Sequence, residues 1–205
     1  MFTLTRSTAT KIFASVALVG GAASVAGLGT FGAFTSTTAV NGTVTNGKVV
    51  LSAAAGPVRG IDIAATDVVP GDTVQRSVTL TRSSDTSAFG SVALTTSGSV
   101  SNLLTTDTTN GLQLKIDQCS VAWAKAPTTN DLTCAGTTTA VIAQRPVIGT
   151  GLDLGAATTT LNAAGAVSYL RVTLTLPSAA GNTLQGLGNT IGFTFDATQR
   201  AAEAR

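Results

Sequence analysis

The chain has 205 residues, with 12 basic and 10 acidic side chains and no histidine. Only 11% of the residues are charged and 4% are aromatic, and no basic patch stands out, which leaves nucleic-acid binding without support. The missing histidine excludes the two-histidine helix of zinc proteases and the usual imidazole general base.

Residues 1–33 have the pattern of a secretory signal peptide, and we expect them to form a signal helix. Arg6 and Lys11 give a positive beginning, residues 12–32 carry no charge, and small residues stand at Gly32 and Ala33. The alternative is a transmembrane helix, since the apolar run is long enough to span a bilayer. Five glycines weaken it as a stable helix. Removal of the signal leaves roughly 170 residues, enough for one domain with a full core.

Residues 34–46, FTSTTAVNGTVTN, form a polar segment rich in threonine. Its large apolar residues are Phe34, Val40 and Val44. This composition by itself predicts a disordered leader. The β-branched content also makes the segment a competent strand wherever a sheet edge is available.

The residues around this junction resemble the TasA/camelysin family of exported proteins. The resemblance rests on Gly29–Phe34, the polar spacer and Gly47–Leu51, and it continues at Val69–Asp72 and Phe193–Gln199. It implies cleavage between Ala33 and Phe34 by a signal peptidase of the SipW type. It also implies a subunit of extracellular, biofilm-matrix fibres. The subunit would donate its N-terminal segment, with Phe34, Val40 and Val44, to a neighbouring copy.

From residue 47 to residue 199 the chain reads as strands separated by turns. Pro70 and Gly71 suit the central positions of a type II turn. Arg76 interrupts the apolar face of the strand that follows, which suggests an edge or a strand end. Strands are predicted at Val49–Leu51, Ile61–Ile63, Val74–Thr81, Phe89–Thr96, Leu112–Cys119, Val167–Leu176 and Thr190–Thr198.

The spacing of these strands predicts an all-β fold, an antiparallel β-sandwich of jelly-roll type. No segment after the signal shows a sustained helical period. Val100–Leu104 fits either a short helix or a strand, and Ala140–Ala143 is a short apolar run. Residues 200–205 are a C-terminal tail, either helical or frayed.

The two cysteines, Cys119 and Cys134, have two interpretations. In an exported chain the simplest is one disulfide that closes a short loop, and the alternative is two unpaired thiols. Beside the disulfide, Val121 and Trp123 are expected to share one buried face with Cys119.

No constellation for catalysis, a metal or a cofactor is recognisable, and we expect none. Two carboxylate pairs, Asp62 with Asp67 and Asp107 with Asp117, are the only candidates for calcium. Loop or turn roles fit Asp62 and Asp67 better, as they fit Asp72 and Asp85.

The expected function is therefore a secreted structural protein of the extracellular matrix or cell surface. Its partners are copies of itself and the signal peptidase, and it meets the membrane only before signal cleavage. Two alternatives stay open: a monomeric surface adhesin, and a secreted camelysin-like metallopeptidase.

Overall fold

The computed structural model describes residues 35–39, 51–55, 63–65, 68–163 and 166–201. The chain divides into two units, Met1–Ala33 and Phe34–Arg205, and all described residues belong to the second. Several predictions fall outside these ranges, namely the signal, the cleavage site Ala33–Phe34, the anchors Val40 and Val44, the pair Asp62 and Asp67, and most of the tail.

The described chain forms strands and a few short helices. The strands are β1 (Thr35–Ala39), β2 (Leu51–Ala55), β3 (Ile63–Ala65), β4 (Thr73–Arg82), β5 (Phe89–Gly98), β6 (Gln113–Cys119), β7 (Ala124–Lys125), β8 (Leu132–Thr133), β9 (Thr138–Pro146), β10 (Gly149–Asp153), β11 (Val167–Thr175) and β12 (Asn189–Gln199). The helices are α1 (Leu103–Thr106), α2 (Gly155–Asn162) and a 3-10 turn (Asn182–Leu184).

Two antiparallel sheets make up the sandwich. One has the order β3-β12-β5-β10 and the other the order β4-β11-β6-β9. These eight strands fill the two sheets in the order that defines a jelly roll. Strand β1 adds to β12 on the same side as β3, and β2 adds to β4. The predicted all-β jelly-roll sandwich is confirmed.

The core lies between the sheets and follows from the alternation of each strand. In β11, Leu170, Val172 and Leu174 are buried, and the residues between them are half-buried on the other face. Ile191 and Phe195 of β12 face the same core. Because each buried large apolar side chain contributes about 1.5–3 kcal/mol, this two-residue period fixes which face of each strand turns inward.

The sandwich has two ends, named here by the strand termini found there. The upper end holds Arg82, where β4 ends, and Phe89, where β5 begins. The lower end holds Gly98, where β5 ends, and Asn189, where β12 begins. Ile191 pairs with Gly98 and Gln199 with Phe89, so β12 runs from the lower end to the upper end.

The turn before β4 has the predicted form. Gly71 has φ +95°, which favours glycine, and the Asp72 N–H donates to the Val69 carbonyl at 3.0 Å. The sequence also predicted that Arg76 lies at a sheet edge or near a strand end, and the structure has a ladder that ends before it. Strand β2 pairs with β4 only from Val78 to Arg82, so Arg76 lies beyond the end of that ladder.

Helix α2 was not expected from the sequence. Ala157 and Leu161 are buried in the core, and Asn162 clamps the start of β5. Its Oδ1 accepts from the Phe89 N–H and its Nδ2 donates to the Phe89 carbonyl, both at 2.8 Å. These tertiary contacts outweigh the weak helix propensity of a threonine-rich segment. Along the described chain, no helix is long and apolar enough to cross a membrane.

The segment from Cys119 to Cys134, named here the disulfide hairpin, contains β7 and β8. The predicted disulfide is present, with 5.8 Å between the two Cα atoms. Trp123 is buried beside Cys119 as expected, but Val121 is exposed, so that part of the prediction is wrong. Strand β6 ends at Cys119 and the chain bends there, which breaks the alternation that the prediction extended to Val121.

Candidate functional site: the outer edge of strand β12

Strand β12 has one side fully covered and one side shared by two short strands. On one side it pairs with β5 from Ile191 to Gln199. On the other side β3 covers Asn189 to Ile191, and β1 covers Thr194 to Thr198. Without β1, every second residue of Thr194–Thr198 would present unpaired backbone donors and acceptors, which is the property of an open sheet edge.

The register of β1 on β12 is regular. The paired Cα positions are Thr35 with Thr198, Ser36 with Ala197, Thr37 with Asp196, Thr38 with Phe195 and Ala39 with Thr194. The sequence of β1, TSTTA, has no large apolar residue. Its attachment to β12 is therefore a backbone ladder rather than a set of large side chains seated in the core.

The lower part of β12 is fixed independently of β1. The side chain of Asn189 is 4% exposed, and its Oδ1 accepts from the Ser99 N–H at 3.0 Å. Its Nδ2 donates to the Val100 carbonyl at 2.7 Å and to Asn102 Oδ1 at 3.2 Å. Because every one of these bonds is made to the β5–α1 connection, they hold the start of β12 whether or not β1 is in place.

The upper part of β12 is also held from the β5 side. The hydroxyls of Ser91 and Thr198 lie 2.7 Å apart, and the Arg200 N–H donates to the Ala88 carbonyl at 3.3 Å. A Cβ at Gly90 would lie 2.8 Å from the Gln199 carbonyl oxygen, so glycine permits the close approach of the two strands. The edge that receives β1 is therefore built by the rest of the sandwich.

The two described calcium candidates do not form a joint site. Asp107 accepts backbone N–H bonds from Asn110 and Thr109, both at 2.9 Å, and these bonds lower the pKa of its carboxyl below the ordinary value. Asp117 instead pairs with Arg171 at 2.8 Å and with Lys115 at 3.1 Å. Each carboxylate thus has a local structural role, Asp107 in the turn after α1 and Asp117 within strand β6.

Arg171 fastens the disulfide hairpin to the outer face of the β4-β11-β6 sheet. Its guanidinium lies 4.4 Å from the centroid of the Trp123 ring and donates to the Leu132 carbonyl at 3.0 Å. The Trp123 indole N–H donates to the Tyr169 carbonyl at 3.0 Å, and the Leu132 N–H donates to Gln75 Oε1 at 2.7 Å. The disulfide hairpin therefore has a structural role, because its aromatic and backbone groups bind side chains and carbonyls of the sheet.

The fold and this edge define a class of protein, namely a jelly roll in which the N-terminal strand completes the edge of its own sheet. The chain belongs to the camelysin metallo-endopeptidase family, which matches residues 7–204 and includes TasA. The family resemblance expected from the sequence is thereby confirmed. No curated protein and no solved structure matches the chain.

The family description implies a metal-dependent peptidase, and the residues do not fit a catalytic zinc. The whole chain lacks histidine, which supplies at least one ligand in typical catalytic zinc sites. Within the part of the chain that the structure describes, no three metal-binding side chains come together. We therefore derive no catalytic step through a metal.

Proposed function

We propose that this protein is a secreted structural subunit of extracellular fibres. In the fibre, the N-terminal strand of one copy pairs with the outer edge of β12 in the next copy. The observation that carries the proposal is the position of β1. It begins two residues after the predicted cleavage position Ala33 and occupies an edge that the rest of the sandwich already holds in shape.

The physical argument is that the same ladder can form within a chain or between chains. A donated β1 makes the bonds of Thr35–Ala39 to a neighbour's Thr194–Thr198 instead of to its own. The exchange then has little net cost in contacts, and protein concentration decides which arrangement prevails. Because donor and acceptor are different parts of the molecule, one-way donation from copy to copy is a heterologous contact, and it continues as a filament when the rotation between copies does not close a ring.

Export is the second part of the proposal. The signal-like pattern of residues 1–33 supports it, with cleavage between Ala33 and Phe34 by a SipW-type peptidase. The disulfide between Cys119 and Cys134 suits an oxidising compartment outside the cytosol. Membership of the family that includes TasA supports a matrix role for the exported chain.

The second candidate is a camelysin-like metallopeptidase, which the family description favours. The absence of histidine from the chain weighs against it. A casein-cleavage assay of the purified chain, with and without a chelator, tests this candidate. Chelator-sensitive cleavage by the purified chain would displace the structural proposal as the primary function.

The test of the fibre proposal compares two chains, one starting at Phe34 and one starting at Thr45, so that only the second lacks β1. Both are concentrated and examined by negative-stain electron microscopy. We expect fibres from the longer chain alone. A synthetic peptide of residues 34–44, added in excess, should suppress those fibres, and a scrambled peptide of the same composition should not. Equal fibre formation by both chains, or by neither, contradicts strand donation.

A further inference from the structure

Exposed large apolar residues are concentrated at the lower end of the sandwich. Four of the five in the described chain lie there, each 37% to 57% exposed: Val69, Val100, Leu103 and Ile148. The fifth, Val121, follows β6 at the upper end. Single exposed apolar residues need no explanation, but a group at one end of a domain marks an interaction surface.

These residues belong to one end face, named here the lower apolar face. Val100 and Ile148 line the same depression of about 350 Å³, and Leu103 lies in the adjoining helix α1. Val69 lines a second depression of about 140 Å³ with Leu184 of the 3-10 turn. The segment after that turn joins the two parts, since Asn102 Nδ2 donates to the Gly188 carbonyl at 2.9 Å.

The direction of β1 says which part of a donor copy meets this face. Strand β1 starts opposite Thr198, near the upper end, and leaves the ladder at Ala39 opposite Thr194, heading toward the lower end. The next described residue of the chain, Leu51, pairs with Arg82 at the upper end of its own sandwich. In an exchanged pair, the two ends of the connection therefore lie at the middle of the acceptor's β12 and at the upper end of the donor.

We infer that the lower apolar face of each subunit seats the upper end of the copy whose β1 it has received. This inference rests on the proposed strand exchange. The connection of eleven residues, 40–50, spans at most about 40 Å, so the upper end of the donor lies within that distance of the acceptor's Thr194 and can reach the acceptor's lower end. The occupant is a second copy of this chain, because the connection tethers the donor to the acceptor.

The head-to-tail direction follows from the same geometry. Each copy offers its upper end with its donated strand and receives the next copy at its lower end. Two copies cannot satisfy both surfaces by a two-fold pairing, because the two surfaces lie at opposite ends of the sandwich. The lower apolar face therefore contributes to every contact along the fibre, in addition to the backbone ladder.

The test adds one charge to the face in the chain that starts at Phe34. The variants are Val100→Asp and Leu103→Asp, and the matched control is Ala143→Asp, an exposed position in the middle of edge strand β9. The critical concentration for assembly is measured by sedimentation. Because burying an unpaired charge is costly, we expect an increase of about tenfold or more for each face variant and less than about twofold for the control.

The outcomes separate this inference from the fibre proposal. Thermal unfolding first establishes that each variant folds like the parent. If Val100→Asp does not fold, the assembly of Leu103→Asp decides the test. Normal assembly by the face variants overturns the seating of the lower face and leaves strand exchange standing. An equal loss in the control also overturns it. No assembly by the unmodified chain overturns both proposals.

Discussion

The disulfide hairpin and strand β1 are two additions to the same jelly roll, and each covers a surface that the eight-stranded core leaves open. The hairpin covers the outer face of one sheet and is held by a disulfide, the hydrogen bond from Arg171 to the Leu132 carbonyl and the stacking of Arg171 on Trp123. Strand β1 covers the edge of the other sheet through a five-residue backbone ladder. The hairpin is thus attached by a covalent bond and by specific side chains, whereas β1 is attached by repeated backbone hydrogen bonds.

This difference bears on which part of the molecule can change partners. An element closed by a disulfide stays with its own chain, because leaving would require the bond to break. A short edge strand of threonine, serine and alanine is bound mainly through backbone groups, and the same groups are offered by every copy of the edge. The comparison predicts that changes in the hairpin alter stability, whereas changes in β1 alter assembly.

The largest effect on stability is expected at Asp117. Its carboxylate is almost fully buried, and Asp117→Ala would leave the Arg171 guanidinium without its charge partner. Removal of one partner from a buried pair typically costs about 3–5 kcal/mol. Urea unfolding should show a loss near the lower limit, since Arg171 is partly exposed. Lys115→Ala is the control, because its exposed pair with the same carboxylate contributes at most about 1 kcal/mol.

The next largest effect is expected from the disulfide. Replacement of Cys119 and Cys134 by serine opens a loop with a sequence separation of 15 and should lower the free energy of unfolding by about 3 kcal/mol. Fibres should still form at temperatures where the variant is folded. Loss of fibres from a folded variant would mean that the hairpin takes part in assembly, and the comparison would fail.

A smaller loss of stability is expected when β1 is absent. Each ladder bond contributes about 1 kcal/mol net, and ordering each residue costs about 1–2 kcal/mol, so the two nearly cancel. The chain starting at Thr45 should therefore unfold with a free energy within about 2 kcal/mol of the chain starting at Phe34. Denaturant unfolding below the assembly concentration measures this. Collapse of the shorter chain would show that β1 is part of the folding core.

The smallest effect is expected at Asp107, which lies outside both additions. Hydrogen bonds from the N–H groups of Asn110 and Thr109 hold its pKa below the ordinary value. Their stabilisation is complete above the ordinary pKa and is lost as the pH falls through the lowered one. Asp107→Asn should lower the melting temperature slightly at neutral pH and leave it equal to that of the parent at acid pH, so that its decline below about pH 4 becomes flatter. If the melting temperature of the variant declined at acid pH as steeply as that of the parent, this role would be contradicted.

Much of the fold could be predicted because its strands have one buried face. Alternation identified β4, β6, β11 and β12 within a few residues of their bounds, and Pro70 with Gly71 identified a turn. Helix α2 was missed because Ala157 and Leu161 are spaced helically only within two turns, too few to stand out. Strand β9 was recognised only as a short apolar run, since an edge strand with exposed residues lacks clear alternation.

The candidate site was predictable on one side only. The segment that holds β1 was expected to act as a strand, because β-branched residues are frequent in it. Its partner edge could not be predicted, since Thr194–Thr198 lie far away in sequence and their register depends on the whole jelly roll. The boundaries at residues 33, 46 and 199, the cleavage site and the anchors Phe34, Val40 and Val44 stay predictions.

The central claim, exchange of β1 between copies, is tested most directly by cross-linking its paired positions. Ala39 and Thr194 are partners in the ladder, so Ala39→Cys is placed in one chain and Thr194→Cys in an isotope-labelled second chain. The two chains are mixed, concentrated and oxidised gently, and mass spectrometry identifies the linked peptides. Strand exchange predicts a disulfide between residues 39 and 194 of different chains, in the fibre fraction. Two results together would contradict strand exchange. The mixed chains would give no disulfide between different chains, and a single chain that carries both cysteines would form the bond only within itself.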